Sequence, residues 1–236
     1  MRFPREMWAG SLRSNAREPA RIIVKDRDEY NDFIKMYNGK MNVFTSVYDY
    51  EYFSPNRGLE YSVILDRIFL DFDAHDGDLK EAFSACEKMH NWLMNKNYKH
   101  TIAFSGRGFH IFVHGERTHS LRQIKAFFDI CRDVVHGSKS LDDLVINTSR
   151  LRRVQNTYHL GANRWCIPLK SGDLTMGLDW ILGFDKPVLD KPIVYGEKLI
   201  EWPEVKSMEA VEIEIDSVES PGELPILPCL KNAIMV

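Results

Sequence analysis

The stretch YSVILDRIFLDFD, residues 61–73, decides how the rest of the chain is read. Branched and aromatic residues dominate it, which is the composition of a buried strand, and it ends in carboxylates. Side chains alternate along a strand, so Asp71 and Asp73 project together while Phe72 faces the core. Two neighbouring carboxylates repel each other unless a cation lies between them, and their hard oxygens suit Mg2+ or Mn2+. The same residues also read as a strand entering an acidic turn, with Asp76-Gly77 as the turn and Asp78 as the cap of the next helix.

Downstream, DLKEAFSACEKMHNWLMNKN places Leu79, Ala82, Phe83, Cys86, Met89, Trp92 and Leu93 at helical spacing, which predicts an amphipathic helix of about four turns. KHTIAFSGRGFHIFVHG, residues 99–115, reads as two strand segments around a glycine-punctuated turn. SLRQIKAFFDICRDVVHG, residues 120–137, predicts a second amphipathic helix with Ser120 as N-cap, Gln123 completing a capping box and Gly137 as the stop. RWCIPLK and LDKPIVYGEKLIEW suit strand or loop pieces among the breakers Pro168, Pro187 and Pro192, and MEAVEIEIDSV alternates as an edge strand does.

A chain of 236 residues, 44% of them apolar, supports a packed core with room for one large domain. No run of about 18 apolar residues and no signal-type N-terminus occur, so a cytoplasmic protein without a membrane partner is expected, nucleoid-associated if it serves prokaryotic or viral replication. Cys86, Cys131, Cys166 and Cys229 lie far apart with no CxxC pairing, so we expect reduced core residues and no structural zinc. The net charge of −3 argues against wholesale coating of nucleic acid, but the charge is unevenly spread. Between Leu144 and Gly172 there is no acidic residue, while Arg150, Arg152, Arg153, Arg164 and Lys170 all fall in that window.

Two further segments carry chemistry. In FSGRGFH, Gly106 and Gly108 let backbone N–H groups approach an anion, Ser105 adds a hydroxyl, and Arg107 and His110 add polar tips that could cradle a triphosphate. A plain hairpin turn that needs glycine accounts for the same residues equally well. It is neither a P-loop nor GxGxxG. In LDDLVINTSRLRRVQNTYHLGANRWCIPLK, the pair Asp142-Asp143 precedes a strand-like LVI and then the arginines. A third carboxylate there could complete a two-metal site, with the arginines on template phosphates or a triphosphate; a solvated charged face is the plainer reading.

Taken in order, FLDFD, FSGRGFHIFV and LDDLVINTSRLRRVQNTYHLGANRWCIPL resemble the three motifs of the archaeo-eukaryotic primase superfamily, and REMW at Arg5 to Trp8 resembles a signature near the start of archaeal members. The resemblance implies an α/β (α+β) fold, in which a primase small-subunit-like core has an RNA-recognition-like sheet packed on a second α/β unit. It implies two Mg2+ or Mn2+ ions on Asp71, Asp73 and Asp142, with Asp143 the alternative third ligand. It implies nucleotide contacts from Ser105, Gly106, Arg107, His110, Arg153 and His159, and template contacts from Arg150, Arg152 and Arg164. The absent zinc knuckle and small size look more like plasmid or viral primase domains than a cellular subunit.

The expectation is therefore a DNA primase or primase-polymerase working on single-stranded DNA with NTPs or dNTPs, with a helicase or large primase subunit as a candidate further partner. Residues 1–220 would form the catalytic domain and 221–236 a tail or the start of a following element. Two rivals stand beside it. One is a primer-dependent repair polymerase of the same superfamily; the other is a catalytically silent module that holds single strands by phosphate contacts and by stacking on Tyr158 and Trp165.

Overall fold

A computed structural model describes residues 2–10, 20–54, 56, 58–74, 78–136 and 138–205. The chain runs β1 (Arg5–Gly10), β2 (Ile22–Val24), α1 (Arg27–Tyr37), β3 (Asn42–Ser46), β4 (Asp49–Tyr50), β5 (Val63–Asp73), α2 (Leu79–Asn95), β6 (His100–Phe104) and β7 (Gly108–Thr118). It continues through α3 (Leu121–Val134), β8 (Leu151–Arg153), β9 (Thr157–His159), β10 (Arg164–Pro168), α4 (Ser171–Met176) and α5 (Leu178–Leu182). The fold is mixed α/β. Among the described residues the strands form two sheets, ordered β4-β5-β7-β6-β10-β9 and β2-β1-β3-β8. Every pairing within them is antiparallel.

Strand β5 lies beside β7 in the large sheet, with Leu70 opposite Ile111, Asp71 opposite His110 and Asp73 opposite Gly108. Its alternation sorts side chains between two environments. Ile68, Leu70 and Phe72 join a core with Met89 and Leu93 of α2 and Ile124 and Phe128 of α3, while the other face carries Arg67, Phe69, Asp71 and Asp73. Burying each Leu, Ile, Met or Phe contributes about 1.5–3 kcal/mol, against about 1 kcal/mol for a good N-cap, so the shared core holds α2 in place more than its ends do. The cap exists nonetheless, for Asp78 accepts from the N–H groups of Lys80 at 2.9 Å and Glu81 at 3.3 Å.

The small sheet has its own core, in which Met7, Val43 and Val154 pack with Tyr30 of α1. Its strand β1 is tied to the large sheet by charge. Buried Arg5 pairs with Asp49 and donates to the Ser46 carbonyl and to Thr45 Oγ1, and Asp49 also takes Arg67 at 2.8 Å. Burial lowers the Arg5 pKa to about 10 despite Asp49. Arg5 thus serves as a strut between sheets.

The order strand, helix, hairpin, helix over residues 63–134 agrees with the sequence reading, and Cys86, Cys131 and Cys166 are buried free thiols as expected. Two local expectations are corrected, and a third segment, given as strand or loop, proves to be loop. Ser120 makes no side-chain cap bond; Thr118 Oγ1 receives the Ser120 N–H at 3.1 Å and bonds the Gln123 side chain, which a capping box would have turned back on Ser120. Residues Asp143–Val145 form a 3-10 turn capped by Asp142 in place of a strand. The stretch 189–202 stays irregular, held on the sheet by single bridges such as His100 to Tyr195 and Gly115 to Ile200. The turn at Asp76-Gly77, the stop at Gly137, the edge strand MEAVEIEIDSV, Cys229 and the boundary at residue 220 lie outside the described residues. No helix among the described residues is long and apolar enough to cross a membrane.

Candidate active site

The charged face of β5 opens into a cleft of about 530 Å³. Its floor is Asp71, Asp73, Ser105, Arg107 and His110 from the large sheet; Trp8, Phe44 and the segment from Asn147 to Arg153 supply the wall. Three sequence segments meet there, each brought by a backbone interaction. The first two meet through the β5–β7 ladder, which sets His110 directly beside Asp71 with Nε2 at 3.4 Å from a carboxylate oxygen. The third meets the first because Leu141 forms a bridge with Phe72, the Asp142 N–H donates to the Asp71 carbonyl at 2.9 Å, and the Asp73 N–H donates to the Ser140 carbonyl at 2.7 Å.

The hairpin FSGRGFH is closed by Ser105 and Gly108. The Ser105 N–H donates to the Gly108 carbonyl at 2.8 Å, and Ser105 Oγ accepts from the Gly108 N–H at 3.0 Å. Gly106 has φ +96°, which an L side chain rarely adopts, and a Cβ there would stand 2.8 Å from His159 Cβ. Arg107 is thereby left at the tip, where Nε and Nη2 reach both oxygens of Asp73 at 3.1 and 2.6 Å. That fork holds the Arg107 pKa above its ordinary value.

Arg150 is the centre of the charge arrangement. Its Nη2 donates to Asp71 at 3.2 Å and to Asp142 at 2.6 Å, bridging carboxylates that are 71 positions apart. Burial alone would raise the Asp71 pKa, but His110 and Arg150 outweigh it and hold the group below the ordinary carboxylate value. Asp143 faces away, with its carboxylate 3.7 Å from Arg132.

Of the remaining expected residues, Arg152, Arg153 and His159 line the cleft and Arg164 does not. Arg153 is buried, bonds Asn42 Oδ1 at 3.0 Å and stacks on Phe44, and burial lowers its pKa to about 10. His159 accepts the Ala162 N–H on Nδ1 at 3.2 Å; burial, with Arg153 and Arg107 near, lowers its pKa to about 4, so it is neutral. Neutral His159 therefore offers an Nε2–H donor. Arg152 lines the cleft with its guanidinium over the Phe112 ring, centroid distance 4.9 Å. Arg164 lies half-buried on β10 opposite His159 and does not line the cleft. Sequence reasoning left out Phe44 and Ser149, which line the cleft without belonging to any charged or glycine-rich pattern.

Asp71, Asp73 and Asp142 offer hard oxygen donors of the kind Mg2+ and Mn2+ take. As the side chains stand, no three His, Cys, Asp or Glu among the described residues converge on one point, since Arg150 and Arg107 hold the three carboxylates. A guanidinium bridging two carboxylates occupies a position built for positive charge, so the donor set fits a divalent cation that displaces it.

No family model and no curated protein matches the chain. Among solved structures it is similar to the AEP domain of a primase-polymerase from cyanophage S-2L, with TM-score 0.49 and 14% identity over 74% of this chain and 89% of that one. It is likewise similar to the polymerase domain of Ligase D from Mycobacterium tuberculosis in complex with DNA, with TM-score 0.49 and 12% identity over 72% of this chain and 65% of that one.

Proposed function

We propose that the protein is a metal-dependent nucleotidyltransferase of the archaeo-eukaryotic primase superfamily, which makes or extends primers on single-stranded DNA from NTPs or dNTPs. The observation that carries this reading is the meeting of three segments at one cleft: Asp71 and His110 face each other across the ladder, the stretch from Asn147 to Arg153 lines the wall, and Asp142 docks by its backbone on Asp71.

Asp71, Asp73 and Asp142 would hold the divalent ions, which when bound supply Lewis-acid activation of an attacking hydroxyl and neutralise phosphate charge. Ser105, Gly106 and Arg107 present a hydroxyl, a backbone turn and a guanidinium at the tip of the β6–β7 hairpin, suited to the oxygens of a triphosphate. His110, beside Asp71, and neutral His159 offer further hydrogen bonds to phosphate. Trp8 and Phe44, with ring centroids 5.1 Å apart, give a base or sugar an apolar wall.

The test is synthesis on single-stranded DNA without a primer, with labelled nucleotides and Mg2+ or Mn2+, beside the Asp71→Ala/Asp73→Ala variant. Oligomers from the parent alone are the expected result. Extension only when a primer is supplied would assign a repair polymerase; DNA binding without synthesis, indifferent to metal, would overturn the enzyme reading.

A further inference from the structure

A second cavity, also of about 530 Å³, lies under the irregular segment 190–194 and shares Arg152 with the cleft. We propose that it binds an organic phosphate of nucleoside monophosphate size. The inference rests on the cavity's own walls and does not depend on the proposed chemistry of the cleft.

Charge is the first reason. Four guanidinium groups line the cavity, and two of them are neutralised: Arg5 by Asp49, and Arg67 by Asp49 and Asp66. The other two, Arg27 and Arg152, have no carboxylate within ion-pair distance among the described residues and lie over aromatic rings, Arg27 over Tyr30 at 5.9 Å and Arg152 over Phe112. Lys191 and Asp190 also line the cavity, one charge of each sign, so the two guanidinium groups without a carboxylate leave a positive balance that an anion completes.

Unsatisfied polar atoms are the second, independent reason. Arg152 Nε and Asn156 Oδ1 are both buried and have no hydrogen-bond partner among the described residues. Buried polar groups are nearly always paired, so each of these invites a ligand atom. The orientation of the Asn156 amide follows from its other end, where Nδ2 donates to the carbonyls of Leu189 at 2.9 Å and Asp190 at 3.3 Å. Oδ1 is therefore the free acceptor, and the occupant must bring a donor to it as well as an oxyanion to Arg152.

Size and lining select the rest. Inorganic phosphate would leave most of the space empty, and it carries no apolar surface for the walls around Tyr30 and Val194. A phosphate ester with a flat body bearing hydroxyl or amino groups meets all three demands. Because Arg152 lines both spaces, an occupant that draws its guanidinium also changes the charge seen in the cleft.

The experiment follows the Asn156 side-chain amide of the full chain by 1H–15N NMR, in EDTA, during titration with AMP and separately with inorganic phosphate. AMP is expected to shift that resonance in the parent and in Arg107→Glu, whose change lies in the cleft. It is expected to bind at least about tenfold more weakly to Arg27→Glu and not to shift the resonance in Val194→Trp, which fills the cavity from its rim. Both of these positions are exposed, so the variants keep the fold, which the remaining resonances report. No shift with AMP in the parent, an undiminished shift in Val194→Trp, or inorganic phosphate binding as tightly as AMP would each overturn the proposal.

Discussion

The N–H of Asp142 donates to the carbonyl of Asp71 at 2.9 Å, so the carboxylate next to Asp71 is placed by main chain and not by its own side chain. Arg150 then reaches across and joins both carboxylates through one nitrogen. Side chains on such a frame can exchange partners while their Cα atoms stay put.

Arg150 and a divalent ion compete for the same oxygens, which makes metal binding visible in stability. In Arg150→Ala the metal-free protein should lose about 1 kcal/mol, the exposed end of the usual range because 26% of the Arg150 side chain remains in solvent. Added Mn2+ should then raise Tm more in the variant than in the parent, since binding no longer has to displace a guanidinium. Equal Mn2+ shifts in the two proteins would show that Asp71 and Asp142 take no part in metal binding.

Gly108 tests how closely the hairpin must approach β5. A Cβ at this position would press into the Phe72 carbonyl oxygen and the Asp73 Cα, both of them backbone, so no side-chain rotation relieves it. Gly108→Ala should destabilise the protein by about 1–3 kcal/mol and displace Arg107 from Asp73. Chemical denaturation measures the first effect. A variant as stable as the parent would mean that the ladder yields at Asp73↔Gly108 without cost.

Much of this site could be read from residues alone because its parts obey local rules. Period-two alternation in β5 put Asp71 and Asp73 on one face, helical spacing marked α2 and α3, and two glycines marked the hairpin. What stayed hidden depends on contacts distant in sequence. Nothing in LDDLVINTSR says that Leu141 will bridge Phe72, and without that bridge Asp142 and Asp143 are equivalent. Arg150 and Arg152 look alike as members of a basic block, yet one lands between carboxylates and the other on an aromatic ring. The small sheet of β1, β2, β3 and β8 is likewise joined from chain segments more than a hundred residues apart, which no window of sequence periodicity spans.

Acid sensitivity should come from buried imidazoles. His100 Nδ1–H donates to the Tyr98 carbonyl at 2.7 Å, leaving Nε2 to accept from His90 Nδ1–H at 2.8 Å, and His90 Nε2 accepts from the Ser171 hydroxyl at 2.9 Å. With both rings neutral, each has one tautomer that satisfies this chain of bonds. Burial, with His100 adjacent, lowers the His90 pKa from 6.5 to about 4. A base with a depressed folded-state pKa binds fewer protons folded than unfolded between those two values, so stability falls as pH drops from 6.5 toward 4. For His90 the full loss is roughly 3 kcal/mol, and His114 and His159, also lowered to about 4, act in the same direction. Urea unfolding at intervals across this range, compared with His90→Gln, should show a steeper decline in the parent. Long-range 1H–15N spectra at pH 7 should find the proton on Nδ1 of both His90 and His100; a proton on Nε2 of either ring, or equal acid slopes in parent and variant, would contradict the relay.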